Sequence, residues 1–277
     1  MDPMTANWRV LLVFGVLVGG AIGSFLNVVA WRLPRGESVT HPPSACPHCG
    51  HRIRPWHNLP VLGWLMLRGR CHDCGEPISP RYPAVEALCA GLWVLLFVDL
   101  IPDPSHLTQP RDLLPFFAYG LYFSALLAIS LVDLDHFIVP DSISLPLVPL
   151  GIGAVALLDH WGVGRVDFPS SVFGAIVGGG SMLALALVGR LAYGREALGM
   201  GDVKLMAAIG AWQGLHPALL LTVFGGSLLG SVVGIGNIAV HGRDRQAKLP
   251  FGPFLCGAAL VAWIWGDVLW GLIVPTP

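Results

Sequence analysis

Charge is scarce in this 277-residue chain: only 12% of its residues are Asp, Glu, Lys or Arg, about half the share found in an ordinary soluble domain. Neither sign dominates, with 16 basic against 17 acidic residues, so no field attracts a polyanion and a nucleic-acid partner is excluded. Polar low-complexity tracts are missing as well. The 35 glycines and 23 prolines punctuate apolar runs without a collagen-like period, which excludes a disordered or fibrous chain. What is abundant is hydrophobicity, 54% of the residues with a mean hydropathy of +0.68. That composition predicts an all-α polytopic membrane protein in contact with the lipid bilayer.

A spanning helix needs about 20 mostly apolar residues. The chain offers about eight such segments, near 10–31, 83–101, 113–132, 142–158, 169–190, 202–213, 217–240 and 251–274, the sixth being short. The first lacks a small-residue cleavage site with a polar mature start behind it, and is read as a retained transmembrane helix covering 1–31. Its Gly15, Gly19 and Gly23 share one face and would let another helix approach closely. Basic residues collect in alternate loops: Arg32, Arg35, Arg52, Arg54, Arg68, Arg70 and Arg81, then Arg190, Arg195 and Lys204, then Arg243, Arg245 and Lys248. Cytoplasmic loops retain Lys and Arg, so these loops are predicted inside and both chain ends outside.

The long loop 32–82 contains Cys46-Pro47-His48-Cys49-Gly50 and Cys71-His72-Asp73-Cys74-Gly75, each followed by an isoleucine at the same distance, Ile53 and Ile78. This is an internal pseudo-repeat of two knuckles. Cys46, Cys49, Cys71 and Cys74 suit a closed tetrahedral Zn²⁺ site, and the reducing cytoplasm disfavours the alternative of two disulfides. His48, His51 and His72 are read as solvated neighbours. Cys89 and Cys256, inside spans, are read as small apolar core residues.

Two acidic clusters stand at the edges of apolar runs, where ionisable side chains are costly and mark function. One is Asp133-Leu134-Asp135-His136-Phe137-Ile138-Val139-Pro140-Asp141; the other is Gly199-Met200-Gly201-Asp202-Val203-Lys204. The predicted topology puts both at the same border, so they can meet. Paired carboxylates suit hydrolysis, because two that share a site do not both ionise easily, leaving one as base and the other as acid. Three other readings stay open: acids that only pair with Arg195, Lys204 or His136, a divalent metal held by Asp133, Asp135, His136 and Asp141, and a non-enzymatic zinc-binding transporter or scaffold.

With these motifs assembled, the chain resembles the prokaryotic type IV prepilin leader peptidases, a family of Gly-x-Gly-Asp membrane aspartic proteases. The resemblance rests on Gly23-Ser24-Phe25-Leu26-Asn27 with Arg32-Leu33-Pro34, the two knuckles with Asn58-Leu59-Pro60 and Leu67-Arg68-Gly69-Arg70-Cys71, and Arg81-Tyr82-Pro83-Ala84-Val85-Glu86. It continues through the Asp133–Asp141 run, Gly199-Met200-Gly201-Asp202-Val203-Lys204 and Pro250-Phe251-Gly252-Pro253. It implies an aspartic peptidase core in 83–277 with Asp133 and Asp202 as catalytic residues. Asp135 and Asp141 are second choices, with Gly199, Gly201 and Lys204 in support. It further implies cleavage of the basic leader of prepilins and pseudopilins after a glycine on the cytoplasmic side of the inner membrane, in type IV pilus or type II secretion systems. N-methylation of the new terminus with S-adenosylmethionine is implied to follow. A related protease with non-pilin substrates is the neighbouring reading. No Rossmann-type methyl-donor site is present: Gly178-Gly179-Gly180 lies in an apolar span and reads as helix packing, while Glu86 is the one residue weighed for the methyl-transfer site.

Overall fold

In lipid every backbone N–H and C=O must be satisfied within its own segment, and each long apolar run of this chain duly forms a helix. The computed structural model describes residues 3–101, 107, 109–194, 198–241 and 249–274; Arg195, Arg243, Arg245 and Lys248 lie outside them. The helices are α1 (Pro3–Arg32), α2 (Leu62–Met66), α3 (Arg81–Leu100), α4 (Leu114–His136), α5 (Asp141–His160), α6 (Phe168–Tyr193), α7 (Met200–Gln213), α8 (Pro217–His241) and α9 (Gly252–Ile273). Among the described residues the only β-structure is two isolated bridges in the cysteine loop. All of the helices except α2 and α7 are long and apolar enough to cross a membrane, seven in number. The chain forms two compact units, Met1–Ser124 and Ala125–Pro277.

In the first unit α1 packs on α3 through its glycines. A Cβ on Gly19 would fall 2.8 Å from Ala90 Cα, and one on Gly23 would fall 2.8 Å from Glu86 Cα, so the two backbones touch where the sequence predicted a close approach. Cys89 and Trp93 are fully buried in this seam, and the Trp93 indole N–H is satisfied by Ser124 Oγ at 2.9 Å.

The second unit is built around α7. This helix corrects the sixth predicted span. Its 14 residues cover about 21 Å, less than the roughly 30 Å of hydrocarbon. Yet it is buried from Asp202 to Gln213 except at Lys204 and Ala207. Helices α5, α6, α8 and α9 all pack on it, so it is stabilised by protein on its sides and needs no lipid-matched length. Glycines make the α6–α7 contact: a Cβ on Gly178 would lie 2.5 Å from Met206 O, one on Gly179 2.9 Å from Ala207 Cβ, and one on Gly210 would collide with Gly174 O. The Gly178-Gly179 pair thus serves helix packing, as read from the sequence. Replacing Gly210 with alanine should therefore lower the melting temperature in detergent by several degrees, since overpacking costs about 1–3 kcal/mol. Gly180→Ala, at an exposed position with nothing within 4 Å, should leave it equal or slightly raised, because alanine is the better helix former. Equal melting of both variants would contradict the packing described.

Candidate active site and candidate metal centre

Both acidic clusters belong to the second unit, and the structure buries Asp133 and Asp202 within electrostatic reach of each other, while Asp135 and Asp141 are exposed. Asp133 occupies the last turn of α4. That helix ends at His136; the next residue, Phe137, has a φ of 57°, a left-handed conformation costly for a bulky residue, and its N–H closes the turn on Asp133 O at 2.9 Å. Asp202 lies in the first turn of α7 after an extended Gly199, where the positive end of the helix favours a carboxylate. The two residues are 5% and 9% exposed. They interact electrostatically, and Cys256 on α9 lies within electrostatic reach of both.

Glycine permits this convergence. A Cβ on Gly201 would stand 2.8 Å from Val139 Cβ, so only glycine lets the start of α7 press against the α4–α5 turn. The residue that the sequence reading did not single out is Gly252. Its N–H donates to Asp133 Oδ2 at 2.9 Å, and a Cβ there would lie 2.8 Å from the same oxygen. Pro250-Phe251-Gly252-Pro253, opening the last span with a glycine between prolines, was the signal for it.

The remaining acids have other occupations. Asp141 is paired by Lys204 Nζ through both oxygens, at 2.7 and 2.8 Å, with 58% of its side chain exposed. Asp135 is exposed. The simple pairing read as an alternative for the clusters thus applies to Asp141, and Lys204 is engaged there. Among the described residues Asp133, Asp135, His136 and Asp141 do not form a group that could hold a metal; the group that could is Cys46, Cys49, Cys71 and Cys74.

Those cysteines sit in the first unit on two knuckles that repeat bond for bond. Cys46 N–H donates to His51 O and Cys71 N–H to Glu76 O; Gly50 N–H donates to Cys46 O and Gly75 N–H to Cys71 O; Ile53 N–H donates to Ser44 O and Ile78 N–H to Gly69 O. Gly50 and Gly75 are left-handed at φ of 72° and 75°, which only glycine adopts freely. The four sulfurs lie within 4.8 Å of one another, and Cys46 Sγ is 3.8 Å from Cys74 Sγ, the spacing of about 3.8 Å that tetrahedral bonds of about 2.3 Å require. Backbone N–H groups of Cys74 and Asp73 hold the Cys71 thiol down at about 6. The Glu76 N–H favours the Cys74 thiolate, yet desolvation and the neighbouring thiols push it up to about 12. A cation among the four removes that mutual repulsion. His72 turns to Asp73 and Arg54 and stacks on His57.

Glu86, weighed for the methyl-donor site, is buried, and its Oε2 accepts the Val61 N–H at 2.7 Å. In the same unit, α1 and the loop line an open cleft of about 230 Å³ whose walls include Ser24, Phe25, Arg32, Thr40 and Asn58.

Comparison with known proteins agrees with this division. The Bacterial Peptidase A24 N-terminal domain matches residues 17–100, and the Type IV leader peptidase family matches residues 120–235. A prepilin leader peptidase/N-methyltransferase of Pseudomonas putida is 38% identical over 94% of this chain and 92% of the relative. Its counterpart in Aeromonas hydrophila is 38% identical over 89% and 88%, and that of Dichelobacter nodosus 36% identical over 88% of each. No solved structure matches. At this identity over nearly full length, with both parts matched in order, the chain belongs to the type IV leader peptidase family.

Proposed function

We propose that the protein is a membrane aspartic endopeptidase that removes the basic leader of type IV prepilins and pseudopilins and then N-methylates the new terminus. The observation that carries this reading is a pair of buried carboxyls within electrostatic reach of each other, Asp133 and Asp202, in the part of the chain matched by the peptidase family. The substrate's apolar N-terminal helix lies in the bilayer with its leader on the cytoplasmic side. One aspartate takes a proton from the water that attacks the carbonyl of the leader's last glycine; the other, protonated, polarises that carbonyl and then protonates the leaving amine. The pair titrates as a unit, so neither role is given to one residue. Gly252 holds the Asp133 carboxyl in its orientation, and Lys204 holds the start of α7 to the start of α5 through Asp141. The alternating basic loops support an inner-membrane location with the active site and cysteine loop on the cytoplasmic side.

The sulfur spacing supports structural Zn²⁺ on Cys46, Cys49, Cys71 and Cys74, which supplies folding free energy to the loop. S-adenosylmethionine supplies the methyl group. Its carboxylate calls for a cation and its adenine for an aromatic face, and the cleft offers Arg32 and Phe25 with Ser24, Thr40 and Asn58 around them. The test is intact-mass analysis of a prepilin-like substrate incubated with the enzyme in membranes. Wild type is expected to remove the leader, and to add one methyl group only when the donor is present. Arg32→Ala should weaken binding of S-adenosylhomocysteine by about 10-fold or more, the value of a charge-assisted hydrogen bond, while leader removal continues. A substrate left intact by folded, metal-loaded wild type would count against the peptidase reading. Unchanged S-adenosylhomocysteine binding by Arg32→Ala would move the donor out of the cleft.

A further inference from the structure

We infer that the segment Pro55–Met66 of the cysteine loop is a re-entrant membrane element: it dips into the bilayer beside α1 and α3 and faces the acyl chains. The starting observation is depth. Pro60 rests on Gly20, where a Cβ would lie 3.1 Å away, and Val61 N–H reaches Glu86. Gly20 is twelve residues before the end of α1 at Arg32, about 18 Å along the helix. Glu86 is five residues inside the start of α3 at Arg81, about 8 Å along it. The 20 residues of α3 cover about 30 Å, the hydrocarbon thickness itself. Arg81 and Tyr82 therefore mark the edge of the hydrocarbon. Trp31, with the Arg35 guanidinium 3.8 Å above its ring, is an interfacial anchor of the usual aromatic and basic kind. The Pro60–Val61 turn lies below both.

The segment has the surface and the backbone that such a depth demands. Trp56, Leu59, Leu62, Leu65 and Met66 are between 47% and 63% exposed, a run of large apolar side chains with no charge among them, while Trp64 turns inward and donates to Ile78 O at 3.0 Å. Irregular backbone inside a bilayer must find partners for its N–H groups, and most of those in this segment do. His57 and Asn58 donate to Arg54 O, Leu62 to Pro60 O, Gly63 to Leu59 O and Leu65 to Val61 O. Pro55 and Pro60 have no N–H to satisfy.

Val61 is the exception that proves expensive. With φ of 61° and ψ of −49° and the Leu62 N–H on Pro60 O at 2.6 Å, it is the centre of a γ-turn of the rare, strained hand, and a β-branched residue there is a genuine outlier. Its own N–H would be orphaned away from water. The buried Glu86 carboxylate accepts it, which gives Glu86 a role as the positioning residue that seats the re-entrant turn.

The experiment uses the full chain, with its metal, in vesicles of phosphatidylethanolamine and phosphatidylglycerol containing a lipid with a diazirine on its acyl chain. After irradiation, lipid adducts are mapped by peptide mass spectrometry. Adducts on 55–66 at a yield within about threefold of those on the α1 and α3 peptides, and at least about tenfold above those on 36–52, are expected, because only segments in the hydrocarbon, where there is no water, meet the acyl-chain carbene. Adducts on the two spans with none on 55–66 would overturn the inference, whether water or another protein covers the segment instead. Glu86→Gln retains an acceptor for Val61 N–H and should keep the labelling; Glu86→Ala should lower it on 55–66 alone. Equal labelling of wild type and both variants would remove Glu86 from the account, and the wild-type result stands even where Glu86→Ala fails to fold.

Discussion

Asp133→Asn and Asp202→Asn should each reduce leader cleavage by about 10²–10⁴-fold or more, the range that a positioned acid or base contributes, with no comparable change in folding. The two variants are nearly isosteric, and an amide oxygen at position 133 still accepts the Gly252 N–H, so the site keeps its shape and loses only its chemistry. The informative controls are neighbours on the same motif. Asp135 is exposed, and Asp141 sits in a half-exposed ion pair with Lys204, of the kind worth about 0–1 kcal/mol. Asp135→Asn and Asp141→Asn should therefore cut at rates within about fivefold of wild type, a change of about 1 kcal/mol. Single-turnover cleavage of a prepilin-like peptide in vesicles, followed by mass, separates the two classes. Near-normal cleavage by Asp133→Asn, or loss in Asp135→Asn alone, would transfer the role to the other acid.

The second large effect concerns the metal. Between residues 33 and 80 only Gly63 and Gly69 are buried, so the cysteine loop has no apolar core of its own and a cation held by the four sulfurs would be its main internal cross-link. Structural zinc contributes about 10–16 kcal/mol in isolated zinc modules at neutral pH, far above what the paired turns of two knuckles supply. A Cys46→Ser, Cys74→Ser double variant, which removes one sulfur from each knuckle, should lose nearly all bound metal by atomic emission. Limited proteolysis within 36–79 should then accelerate by about tenfold or more, as expected where cleavage tracks the open population. Full metal occupancy in the double variant would refute the four-sulfur assignment.

How much of this was legible beforehand follows from what each residue pattern reports. The Cys-x-x-Cys-Gly-x-x-Ile repeat is local, each bond closing within nine residues, and it folds as read. Gly19 and Gly23 on one face of α1 correctly announced a close helix contact. Hydropathy also placed the spans, because it measures the preference of a segment for lipid over water. It does not say whether protein or lipid provides the apolar surroundings, so α7 looked like a weak span when it is the buried centre of its unit. The same blindness hid Pro55–Met66, whose prolines, arginines nearby and position in a polar loop all spoke for water. The choice of Asp133 over Asp135 and Asp141 came from the family resemblance. Gly252 acts through a backbone N–H 119 residues away in sequence from Asp133, and the glycine of Pro250-Phe251-Gly252-Pro253 marks the position without naming its partner.

The burial of α7 has a consequence for how the enzyme meets different membranes. Helices α5, α6, α8 and α9 present apolar faces outward, so thickening or thinning the bilayer is answered by their tilt. A helix enclosed by other helices has little hydrophobic mismatch of its own to relieve. Asp202 therefore holds its register against α6 through Gly178 and Gly179, and the elevation of its carboxyl is set by interhelical packing rather than by lipid chain length.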